Sequence, residues 1–148
     1  MPFIHVKISG ERDAALATRV AQRITALTQE RLRKNPADTN VAIEFVSPDL
    51  WFIANAPLSA QSVRAFYLNI SVTDETNTKD EKAAFIAAVY TAMGELLGGV
   101  HDKSYVLVAD VSGSAYGFGG ITQEERYVFG KPASIARRLR TAGLRAAG

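Results

Sequence analysis

The sequence predicts an α/β (α+β) fold: two tandem βαβ units forming a four-stranded sheet with both helices on one face. Three observations predict it. The order strand, helix, strand occurs twice within 148 residues. The second copy follows the first at a nearly constant offset. In both copies the strands alternate apolar and polar residues at period 2, while the helices carry an apolar stripe every three or four positions. Parallel strands need a crossover, and crossovers in one sheet are right-handed, so both helices are expected on the same face.

Residues Phe3 to Ile8 place Ile4, Val6 and Ile8 on one face and Phe3, His5 and Lys7 on the other, the pattern of a half-buried strand. From about Asp13 to Lys34 the apolar residues Leu16, Val20, Ile24 and Leu27 recur at helical spacing. Asn35-Pro36 ends that helix, because the residue before a proline is pushed out of helical space. Val41 to Val46 reads as the second strand and Ser47-Pro48-Asp49 as a turn.

The order then returns. Phe66, Leu68, Ile70 and Val72 alternate as a strand, Thr78 and Glu81 have capping-box spacing, and Phe85, Val89, Met93 and Leu96 form a stripe that ends at Gly98-Gly99. Tyr105 to Val111 is the fourth strand. A shift of 64 carries Pro2, Ile4, Val6 and Ile8 onto Phe66, Leu68, Ile70 and Val72; a shift of 65 carries Val20, Ile24 and Trp51 onto Phe85, Val89 and Tyr116. One residue is therefore inserted in the second strand-to-helix loop. The expected organisation is a single domain over residues 1–148, with a first unit at 2–55, a second at 63–122 and a basic C-terminal arm at 123–148. In that arm Ser134 to Ala147 is helix-permissive. The open sheet face carries Phe3, Tyr67 and Tyr105 and needs a cover, which an oligomer would supply.

Composition narrows the function. There is no cysteine, which excludes disulfides and thiolate metal sites, and Asp38, Asp110, His5 and His101 are isolated from partners at metal spacing. Net charge is +2; from Glu124 onward six basic residues stand against two acids, a balance of +4, so the other 123 residues sum to −2. That is no footprint of nucleic-acid binding. The longest apolar run, Ala83 to Tyr90, is too short to cross a bilayer. His5 and Lys7 interrupt what a signal peptide would need as an apolar core, so a cytoplasmic location is expected.

Pro2 is the candidate of greatest chemical interest. Removal of Met1 would leave it a free secondary amine, whereas an internal proline nitrogen is an amide without basicity or N–H. A free α-amino group titrates at about 7.7–8.0. Burial or a nearby cation lowers that value, toward the range in which a general base works best.

The N-terminal proline on a strand, the duplicated βαβ unit and the turn Tyr116-Gly117-Phe118-Gly119-Gly120 together resemble the tautomerase superfamily, whose small members include 4-oxalocrotonate tautomerase. The resemblance covers residues 2 to 122. It implies a homotrimer with the sheets around a central barrel, no cofactor and no metal. It also implies a tautomerase or isomerase moving a proton on a small 2-keto or 2-hydroxy unsaturated carboxylic acid, with no nucleic-acid or membrane partner. Pro2 matches the catalytic base. Arg12, ten residues later, matches an arginine that binds a substrate carboxylate, a task suited to a bidentate guanidinium. Tyr116 matches the aromatic wall of the pocket, with Phe118 beside it in sequence, and Tyr105 stands in place of a second arginine that the resemblance would require. Arg64, Asp38 and Trp51 are further candidates, Arg64 at the pocket mouth and Asp38 as an acid shared with malonate semialdehyde decarboxylase.

The chain departs from other branches. Where cis-3-chloroacrylic acid dehalogenase would have two arginines, a histidine and a glutamate, Asp74, Asn77, Thr28 and Ala115 stand. Three alternatives remain at this level: a non-catalytic trimeric binding protein on the same fold, a related decarboxylase, and a hydratase-dehalogenase.

Overall fold

β1 (Phe3–Ser9) is a central strand of the sheet, and its alternate residues face different neighbours. Ile4, Val6 and Ile8 are fully buried under the helices, and Phe3, His5 and Lys7 face the open side. The computed structural model describes residues 1–130 and 140. The chain divides into two compact units, Met1–Asp110 and Val111–Gly148.

In the first unit β1 is followed by α1 (Ala14–Leu32), β2 (Asn40–Val46), a short hairpin of β3 (Phe52–Ile53) and β4 (Ala56–Pro57), and one turn of helix, α2 (Leu58–Gln61). β5 (Phe66–Thr73), α3 (Lys79–Leu97) and β6 (Tyr105–Val111) repeat the first pattern, with β6 ending at the unit boundary. The strand order is β2-β1-β5-β6. β1 runs parallel to β2, with Phe3 opposite Asn40 and Ser9 opposite Val46. It runs antiparallel to β5, with Phe3 opposite Ser71 and Ile8 opposite Phe66. β5 and β6 begin side by side: His101 N donates to Arg64 O at 2.8 Å and Phe66 N to Ser104 Oγ at 3.2 Å. The predicted fold class is therefore the one observed, with the two central strands antiparallel.

One core lies between the sheet and the helices. Val20, Ile24 and Leu27 of α1 and Phe85, Val89 and Met93 of α3 pack on Ile4, Val6, Ile8, Leu68 and Ile70. Each such side chain contributes about 1.5–3 kcal/mol on leaving water.

The helix ends follow their side chains. Asp13 caps α1 by accepting from Leu16 N at 3.0 Å, and Arg33 closes it in the left-handed region at φ 57°. Thr78 and Glu81 form the reciprocal capping box that their spacing predicts. Asn77 Nδ2 donates to Leu32 O at 3.0 Å, tying the two helices together at this end.

In the second unit β7 (Gly117–Phe118) and β8 (Ile121–Thr122) form a hairpin turned by Gly119 and Gly120, both at positive φ. Residues 123–130 are helical. The helix expected over Ser134–Ala147 lies outside the described residues except for Arg140, which is helical and exposed.

Candidate active site

The residues singled out in the sequence divide between the two ends of β1. Pro2 immediately precedes the strand, is buried, and accepts a hydrogen bond from Asn40 N at 3.1 Å. Arg12 lies past the other end and is exposed. Seven strand residues at about 3.3 Å each put roughly 20 Å between these ends. Pro2 and Arg12 of one chain are therefore not neighbours, although they are only ten positions apart.

At the Pro2 end stand Asp38 and a residue that the sequence reading passed over, Lys34. Burial first, and then the Lys34 ammonium, hold the Met1 terminal amine below its ordinary value, while the Asp38 carboxylate acts in the opposite direction. Lys34 Nζ donates to Thr76 Oγ1 at 2.8 Å, and Thr76 Oγ1 donates to Thr73 O at 2.5 Å. The Lys34 ammonium is itself lowered, chiefly by burial and then by Arg33, with Glu81 and Asp110 opposing. Asp38 is held by Asn35, whose Nδ2 donates to Asp38 Oδ2 at 3.2 Å. Two amines and a carboxylate thus share a partly desolvated corner, able to take an anion and to keep a terminal amine unprotonated nearer neutrality.

The signal for Lys34 was topological. After its loop, a crossover helix runs back along the strand it follows, and 19 residues at about 1.5 Å rise span roughly 28 Å, enough to return the chain to the level of Pro2. The last residues of α1 therefore had to lie beside the start of β1.

At the other end of β1 stand Arg64, Trp51 and Tyr105. Arg64 is committed to the backbone: Nε and Nη2 donate to Ser9 O at 3.1 and 3.0 Å. Trp51 and Tyr105 line a cavity of about 610 Å³ with Lys7, Tyr67 and Lys103. In the second unit Tyr116 is half-buried and its carbonyl accepts from Gln123 N at 2.8 Å. The Phe118 ring is covered by Arg126, whose guanidinium carbon lies 3.6 Å from the ring centroid. Among the described residues, no group of three or more His, Cys, Asp or Glu could hold a metal ion, and no helix is long and apolar enough to cross a membrane.

The fold is that of the tautomerase superfamily in its fused two-repeat form. The Q0 fused 4-OT wild-type symmetric trimer superimposes with a TM-score of 0.73 at 16% identity, over 84% of this chain and 98% of that one. Pt0534 inactivated by 2-oxo-3-pentynoate gives a TM-score of 0.72 at 15% identity, covering 82% and 97% of the two chains. A macrophage migration inhibitory factor-like protein from Entamoeba histolytica gives 0.68 at 11% identity, again covering 82% and 97%. No family model and no curated protein sequence matches the chain.

Proposed function

We propose that the chain is a cofactor-independent tautomerase acting on a small 2-keto or 2-hydroxy unsaturated carboxylic acid. Pro2, freed by removal of Met1, is the general base. The observation that carries this reading is the environment of the chain start, where Pro2 is buried and where burial and Lys34 both hold the neighbouring Met1 amine below its ordinary value. The Pro2 nitrogen takes a proton from the enol hydroxyl or from carbon and returns it to another carbon, so the product is an isomer. Lys34 receives the substrate carboxylate and supplies the cation for which the resemblance requires a second arginine. Asp38 orients the corner and opposes the fall in amine pKa. Arg12 can join this site only from a neighbouring copy.

A homotrimer accords with this reading. The open sheet face presents Phe3 at 44% and Leu107 at 45% exposure, and the similar fused 4-OT is a trimer. Within the proposed oligomer, residues 1–148 act as one domain of two repeats with the segment from 123 as an arm.

The test joins intact mass with an ultraviolet assay of phenylpyruvate enol-to-keto conversion. Loss of one methionine mass, with turnover that Pro2→Ala removes while leaving the oligomer intact, is expected. 2-Oxo-3-pentynoate should add its mass once, at the Pro2 nitrogen. Full activity in Pro2→Ala, or retention of Met1 in active protein, would sink the proposal.

A further inference from the structure

The duplication gives the sheet two corners related by the repeat. The 64-residue shift places Phe66 where Pro2 stands in the first unit, and Phe66 opens β5 at the end of β1 remote from Pro2. Its nitrogen is an internal amide donating to Ser104 Oγ at 3.2 Å, so this corner has no base. It nevertheless has a recess. The cavity of about 610 Å³ lies within the roughly 300–1,000 Å³ range of small-molecule sites. Leu50, Trp51, Phe52 and Tyr105 give it apolar and aromatic walls, and Lys7 and Lys103 give it two ammonium groups.

The charges favour an anion. The Lys7 ammonium makes no hydrogen bond or ion pair among the described residues. The nearest carboxylate in register, Glu44, is bonded to His5 instead. Lys103 meets Asp102 at 3.3 Å, an exposed pair that leaves two of its three donors unassigned. Arg64 is spent on Ser9 O and keeps its charge at the same end of the strand.

We propose that this cavity is a second ligand site, which binds a small carboxylate bearing an aromatic ring without transforming it: Lys7 and Lys103 hold the carboxylate, and Trp51 and Tyr105 flank the ring. The inference does not depend on Pro2 acting as a base.

Trp51 is the sole tryptophan and serves as the reporter. The intact protein should show a saturable change in tryptophan fluorescence with 3-phenylpropanoate, a weaker response to 3-phenylpropanol, and weakening of carboxylate binding with added salt. Lys7→Met and Lys103→Met should each raise the dissociation constant about tenfold, the loss expected for one charge-assisted contact. Pro2→Ala and Lys34→Met should leave it unchanged, which separates this site from the proposed catalytic one. Equal response to the alcohol, no saturable response, or sensitivity to Lys34 alone would overturn the proposal. So would a fluorescence change that follows protein dilution instead of ligand, because the recess would then be filled by a second copy of the chain.

Discussion

Lys34 and Thr76 are joined by a 2.8 Å hydrogen bond from Nζ to Oγ1, which fastens the end of α1 to the loop after β5. The two residues lie 42 positions apart and come from different repeats. Their contact holds a cation beside the first residues of the chain.

Opposite pH shifts follow from the two charges near the terminal amine. Lys34 lowers and Asp38 raises the pKa of the Met1 amine, and the same two charges are expected to act on the Pro2 amine once Met1 is removed. Lys34→Met therefore moves the ascending limb of the kcat/KM profile to higher pH, and Asp38→Asn moves it to lower pH. Lys34→Met should also raise KM about tenfold through loss of a charge-assisted contact to the carboxylate. Profiles of the two variants displaced in the same direction would count against a terminal amine as base.

A second expectation concerns the junction between the repeats. Ser9 is 1% exposed, and its Oγ accepts from Ala65 N at 2.8 Å while Ser9 N donates to Ala65 O at 3.0 Å. Ser9→Ala leaves a buried N–H without its acceptor and should cost about 1–3 kcal/mol in chemical denaturation. An unchanged denaturation midpoint would show that water replaces the hydroxyl.

The strands and long helices were legible because burial is periodic. Ile4, Val6 and Ile8 alternate with half-exposed neighbours, and Val20, Ile24 and Leu27 fall on one stripe. Thr78 and Glu81 were legible as a cap because both partners lie within one helical turn. The short hairpins were not. β3 and β4 have two residues each, too few to show a period, and their turn depends on positive φ at Ala54 and Asn55, residue types that rarely announce it together. The arrangement of the candidate site was less legible still. Pro2 and Arg12 are close in sequence and lie at opposite ends of β1, whereas Lys34 and Pro2 are distant in sequence and share a corner. Sequence spacing reports proximity within a helix turn or across a hairpin; proximity across a crossover depends on element lengths and strand direction.

The cap on α3 should make part of the stability pH-dependent. Glu81 is held below its ordinary value, first by the Thr78 backbone N–H and then by Asn77 and Arg33. A carboxylate whose folded pKa lies below its unfolded one adds stability above the unfolded value and loses it as pH falls through the folded value. Thermal melts should therefore decline more steeply on acidification for the natural protein than for Glu81→Gln. Thr78→Ala, which removes the acceptor for Glu81 N, should cost about 1 kcal/mol at neutral pH. Parallel acid profiles for the natural protein and Glu81→Gln would mean that the carboxylate adds nothing there.

Gly10 and Arg64 provide the last test, because two separate costs meet at one residue. Gly10 has φ of +131°, where an L side chain is strained, and a Cβ there would lie 2.8 Å from Arg64 Nη2. The backbone strain should cost about 1–3 kcal/mol. The steric cost falls on a guanidinium that holds Ser9 O by two hydrogen bonds. Gly10→Ala should thus destabilise through both routes, and Arg64→Ala should remove only the second. In a double-mutant cycle the loss from Gly10→Ala/Arg64→Ala should be smaller than the sum of the single losses, by about 0.5–3 kcal/mol, as for residues in contact. Additive losses would show that the guanidinium swings clear at no cost, and that the conformation of Gly10 alone accounts for the effect.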